Sequence, residues 1–147
     1  MRIFLRRIFE SRVNGAAAFG ILVVRVVFGV GLMLHGLPKI QNPTGWMPSG
    51  AGIRPELLAL SAFTEFFGGL ALVIGLLTPL VALAVAINMG KALEVLGALK
   101  GTPLVATPPH PSLEPALVYF AAGLMLIFTG AGAISLDAAL FRGKAKR

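Results

Sequence analysis

Four stretches of the chain, Ala16–Leu37, Leu57–Leu77, Leu80–Leu99 and Pro115–Thr129, consist almost wholly of apolar residues. A helix needs about 20 residues to cross roughly 30 Å of hydrocarbon. The first three stretches meet that length, and the last is shorter and is expected to continue a little through Gly130. Pro38, Pro79 and Pro115 sit at the edges of these stretches, where proline stops or starts a helix at little cost. The pattern predicts an all-α integral membrane protein, a four-helix bundle with one transmembrane domain over 16–134.

The rest of the composition agrees. Only 13% of the residues are charged and the mean hydropathy is +0.86, whereas a soluble domain carries about a quarter charged residues. The net charge of +7 resembles that of a nucleic-acid binder, but the basic residues crowd the two termini. Basic flanks on apolar segments orient a membrane protein and meet anionic lipid, so the expected contact is the bilayer and no nucleic acid. The chain has no cysteine. Disulfides, iron–sulfur clusters, thiolate metal sites and a thiol–disulfide relay are thereby excluded. A redox role would have to come from a bound cofactor or a partner.

At the N-terminus, residues 1–15 place Met1, Phe4, Leu5 and Ile8 on one helical face and Arg2, Arg6, Arg7 and Glu10 elsewhere. That predicts a short helix lying in the headgroup layer, with a mitochondrial targeting peptide as the alternative. A cleaved secretory signal fits less well, because the apolar run that follows is long and contains Arg25.

Thr78-Pro79 is nearly all that joins the second and third spans, which forces a tight antiparallel hairpin. The other two connections are long and rich in Gly and Pro, and the first contains Trp46, a residue suited to the membrane interface. The termini carry eight basic residues (Arg2, Arg6, Arg7, Arg12, Arg142, Lys144, Lys146, Arg147) and the long loops three (Lys39, Arg54, Lys100). Basic residues favour the cytoplasmic side, so both termini, including a basic tail over 135–147, are expected inside the cytoplasmic membrane. Gly29 with Gly31, Gly68 with Gly69, and Ala82 with Ala86 are candidate helix contacts, since helices in lipid associate through close packing of small residues.

Arg25, Glu65, Lys91 and Glu94 fall within the spans, each at a cost of about 3 kcal/mol unless paired or hydrated. Glu65 lies roughly 12 Å from the outer face by helical rise, and Lys91 at a similar depth. Their opposite charges predict a pair. Glu94 lies one turn from Lys91 on the same helix, so it can also pair locally, and Asn88 lies one turn the other way, making a polar stripe. Such a network either fixes helix register or forms a hydrated pocket that binds a polar head group or relays protons. His35, followed by Gly36 and Lys39, either meets a quinone ring or caps the end of the first span. His110 lies between prolines, so a bis-histidine haem site and a metal site are not expected. The chain has no Gly-rich phosphate loop, HExxH or nucleophile elbow. Ser135 is a candidate N-cap for a short final helix carrying Asp137 in its first turn, with no catalytic role.

In order, Arg25, His35-Gly36, Lys39, Glu65, Gly68-Gly69, Gly75, Thr78, Met89, Ala92, Glu114, Gly130, Gly132 and Ser135-Leu136-Asp137 make a pattern that resembles the DoxX family over roughly Leu22 to Leu140. The resemblance implies a four-helix membrane protein. It also implies association with quinone-linked sulfur oxidation, terminal oxidases or oxidative-stress complexes. Arg25, His35, Lys39 and Glu65 match the family's polar positions, whereas Lys91, Glu94 and the segment LGALKGTPLVATPPHPS depart from its pattern. The expected function is a non-catalytic accessory subunit of a larger membrane redox complex, with no covalently bound cofactor and a quinone as candidate ligand. Two alternatives stand beside it. One is a stand-alone quinone-reducing subunit with Glu65 and His35 as proton carriers. The other is a small transporter or lipid-handling protein centred on Arg25, Glu65 and Lys91.

Overall fold

Proline and glycine set most of the helix boundaries. The computed structural model describes Phe9 and residues 13–48, 52–98, 101–106 and 112–141. Most of the expected N-terminal interfacial segment, His110, Lys100 and residues 142–147 lie outside the described residues. Among the described residues the protein is all-α. Helix α1 spans Gly15–Gln41, α2 Pro55–Ile74, α3 Thr78–Leu93, α4 Glu114–Thr129 and α5 Leu136–Phe141, and a π-helical turn at Glu94–Ala98 prolongs α3. Proline occupies the first turn of α2, α3 and α4, where no intrahelical N–H is needed. Gly75, at φ 70°, takes the left-handed conformation that ends α2 in a Schellman turn. Its N–H donates to Leu72 O at 3.1 Å, and the Leu76 N–H donates to Ala71 O at 2.9 Å.

Two boundaries differ from expectation. Residues 75–77 link α2 to α3, and Thr78-Pro79 opens α3 rather than joining the spans. Pro38 does not end α1, which runs through it to Gln41. Proline deprives the Leu34 carbonyl of its usual donor, but tertiary contacts hold the extra turn. Gly36 seats α1 against the Phe66 backbone, and Lys39 ends on Glu65. Continuation also sets Lys39 one turn beyond His35, on the same side of the helix.

Helices α1 and α2, and α3 together with its π-helical turn (Thr78–Gly97, 20 residues), are long and apolar enough to cross a membrane, and α4 is a shorter apolar helix of 16 residues, about 24 Å long. Neighbouring helices pack antiparallel, with α1 pressed most closely on α2 and α3 on α4. A β-carbon at Gly29 would lie 2.6 Å from Gly69 O, and one at Gly69 would lie 2.5 Å from Gly29 O. No side chain other than hydrogen fits at that crossing. Gly123 lies against Ala82 and Ala86 in the same manner between α3 and α4. Leu32, Leu72, Val85, Met89 and Leu126 fill the centre. Apolar side chains also cover the outside, from Phe19 and Leu34 to Phe128, which is 86% exposed. An exposed apolar belt of this extent is a lipid-facing surface. Together with the long apolar helices, it makes the chain a multi-pass membrane protein.

Candidate functional site

The antiparallel packing gathers the polar side chains at the two ends of the bundle. At the end of the long connections, Lys39 Nζ donates to both oxygens of Glu65, at 2.5 and 2.6 Å. The Glu65 side chain is 4% exposed and that of Lys39 24%. Asn88, from α3, donates its amide to Glu65 Oε1 at 3.3 Å, and Ser61 Oγ stands at 3.5 Å. Three helices thus converge on one carboxylate. The ring of Trp46 covers Lys39 Nζ at 4.5 Å, and its indole N–H donates to Leu58 O at 3.0 Å. The loop after α1 is pinned over the ion pair by these two contacts.

Beneath this roof is a cleft of about 170 Å³, with Lys39 and Glu65 at one side and His35, Met89, Ala116 and Tyr119 around the rest. His35 and Tyr119 meet edge to face, centroids 5.8 Å apart, and Phe28 meets the other side of Tyr119 at 5.3 Å. Tyr119 comes so close to α1 at Gly31 that a β-carbon there would collide with its hydroxyl.

Two sequence expectations about the charges are corrected here. Lys91 pairs with Glu94 at 2.6 Å, not with Glu65, and these two side chains are 70% and 60% exposed. At 100° per residue Lys91 lies about 200° around α3 from the buried Met89, so it faces outward. Similar depth did not mean a shared face. Arg25 is likewise apart from Glu65, about 16 Å along α1 from Gly36, which packs beside Glu65. An Arg25–Glu65–Lys91 centre is therefore not assembled, and a binding centre built on it has no basis.

Arg25 instead organises the opposite end. Its guanidinium donates to Ala131 O and, at 3.0 Å, to Ile134 O, while its Nε has no partner among the described residues. Asp137 sits in the same knot, fully buried. It accepts the Leu77 N–H at 2.6 Å and the Thr78 N–H at 2.7 Å, so it caps α3 from 59 residues away in sequence. Leu77 is left-handed, at φ 49°, the one described non-glycine residue at positive φ. Ser135 caps α5 as expected, accepting the Ala138 N–H at 3.0 Å. The capping reach of Asp137 left no local mark in the sequence. Tyr119 did leave one, as the sole tyrosine of the chain, set in an apolar span, where an aromatic ring with a polar tip needs a partner.

Fold and site define a multi-pass membrane protein, an antiparallel helical bundle with a buried Lys–Glu pair and adjoining cleft at one end. The DoxX family model matches residues 20–98, more than half of the chain, and the chain belongs to the DoxX family. It is similar to a Haemophilus influenzae protein named "Uncharacterized protein", 29% identical over 123 residues, 81% of this chain and 89% of that one. It is also similar to the Bacillus subtilis protein named "Putative oxidoreductase CatD", 28% identical over 133 residues, 89% of this chain and 94% of that one. No solved structure matches.

Proposed function

We propose that the protein is a non-catalytic subunit of a quinone-linked membrane redox assembly, whose own task is to seat a quinone head group in the cleft beside Glu65. The observation that carries this reading is the Lys39–Glu65 pair opening onto a space walled by His35 and Tyr119. A buried ion pair kept only for stability has no need of a cleft, and apolar residues of similar volume often hold helices as well or better. Ionisable groups within a membrane are by default functional. A quinone head is planar and carries two carbonyl acceptors. The Lys39 ammonium has three N–H donors, of which Glu65 takes two, and the ring N–H of His35 and the Tyr119 hydroxyl add two more donors.

With no cysteine and two histidines in the whole sequence, electron transfer falls to a partner subunit. The name of the Bacillus subtilis relative, an oxidoreductase, supports a redox setting. In this reading α4 is the fourth span, and the eight-to-three distribution of basic residues supports cytoplasmic termini and a cleft toward the outer face.

The test is gentle solubilisation followed by native separation, protein identification, visible absorption and solvent extraction. The expected result is comigration with larger subunits carrying haem, flavin or another electron carrier, and an extractable quinone that Glu65→Gln diminishes. Migration alone, colourless and without quinone, overturns the reading.

A further inference from the structure

A second groove adjoins the cleft from the side. Val27, Phe28 and Val118 line a space of about 320 Å³ between α1 and α4, and its remaining walls include His35, Pro115 and Tyr119. Those last three also wall the inner cleft. The rings of His35 and Tyr119 therefore stand between two spaces, one ending on the ion pair and one opening onto the apolar belt. Val27 and Val118 are among the exposed apolar residues, so the groove faces lipid.

From the loop side the way in is roofed, because Trp46 lies over Lys39 and is held to Leu58 O. On the lipid side, among the described residues, His35 meets Tyr119 through an edge-to-face ring contact with no hydrogen bond between them, a contact of about 0.5–1.5 kcal/mol. Tyr119 packs over Gly31 and meets Phe28 edge to face at 5.3 Å, so His35 is the ring that must swing aside.

We infer that the cleft is loaded sideways from the bilayer, by an amphiphile whose planar, hydrogen-bond-accepting head passes between His35 and Tyr119 while its apolar tail stays in the α1–α4 groove. This rests on the seat proposed above for the head and adds the route and the tail. The occupant follows from continuity. Among the described residues the groove shares His35, Pro115 and Tyr119 with the inner cleft, and away from Glu114 its walls are the apolar Val27, Phe28 and Val118. A water-borne ligand would have no use for it.

Trp46 is the sole tryptophan and lies over the head site, so its quenching reports occupancy. The protein in nanodiscs is titrated with a quinone bearing an isoprenoid or decyl tail, and with the same quinone lacking a tail. The titrations are repeated on the Val27→Phe/Val118→Phe variant, whose helicity is checked by circular dichroism. Both changes fall on lipid-facing positions and fill the groove without touching the ion pair. The expected result is quenching of the wild type by both probes, with the tailed probe weakened about tenfold in the variant and the tail-less probe little changed. If both probes quench and the variant alters neither, or alters both equally, the lateral route is wrong while the head seat survives. If neither probe quenches the wild type, the seat and the route fall together.

Discussion

Glu65 is the residue on which the long-loop end of the bundle depends. Removing one member of a buried pair leaves the other charge uncompensated, at about 3–5 kcal/mol. Lys39 keeps some contact with the surface and can snorkel toward the headgroups, which sets the expectation at the lower end. Glu65→Gln and Lys39→Met should each lower the thermal midpoint of the protein in detergent, and the Glu65→Leu/Lys39→Met double variant should recover much of the loss. Lys91→Met, which breaks an exposed i,i+3 pair, should cost under about 1 kcal/mol and show no coupling to Glu65. Strong coupling between Glu65 and Lys91 in the same double-mutant cycle would contradict this assignment. The sequence made plain which charged side chains fall within the apolar stretches. It did not show which way each faces, because azimuth depends on where the buried stripe of each helix runs, and on α3 that stripe follows Ala82, Val85, Ala86 and Met89 rather than Lys91.

At the scale of helices, the α1–α2 crossing is set by glycine against glycine. Adding a methyl at Gly69 puts it 2.5 Å from the Gly29 carbonyl, an atom of the backbone that cannot yield. At the neighbouring Gly68 the nearest atoms are side-chain methyls of Val81 and Val85, at 3.5 and 3.8 Å. Gly69→Ala should therefore destabilise by about 1–3 kcal/mol, while Gly68→Ala should be close to neutral, as read by thermal unfolding of the two purified variants side by side. Equal effects would mean that the crossing is looser than the distances imply. The sequence marks Gly68-Gly69 as a small-residue pair but cannot tell which of the two meets a backbone. Gly36 shows the same limit. A methyl there would lie 2.6 Å from Phe66 N, a contact with a neighbouring backbone that the sequence of α1 alone does not reveal.

In the whole molecule the two polar clusters divide the work, and the one at the long-loop end adjoins a cleft. The end of the termini is built for closure. Arg25 on α1 holds the carbonyls of Ala131 and Ile134, Asp137 caps α3, and the Asp137 N–H returns to Gly75 O at 2.9 Å at the end of α2. If the basic residues orient the chain, reporters fused at Thr78 and at Arg147 should read cytoplasmic and those near Gly50 or Pro108 external, and a cytoplasmic signal at Gly50 would reverse the orientation. The same knot ties the segment after Thr129 to helices that precede it. Although the family match stops at residue 98, α3 has no side-chain cap of its own at Leu77, and a carboxylate accepting two backbone N–H groups contributes about 1.5–3 kcal/mol per charged hydrogen bond. Asp137→Ala should cost a few kcal/mol by that measure, and Leu77→Gly should return part of it by relieving the left-handed backbone that the carboxylate holds in place. Truncation after Thr129 should do more. It removes Asp137 together with both acceptors of Arg25, leaving a buried guanidinium unpaired, and should yield no monodisperse folded protein in detergent. A truncated chain that stays folded, with unchanged thermal stability, would show that the knot closes nothing.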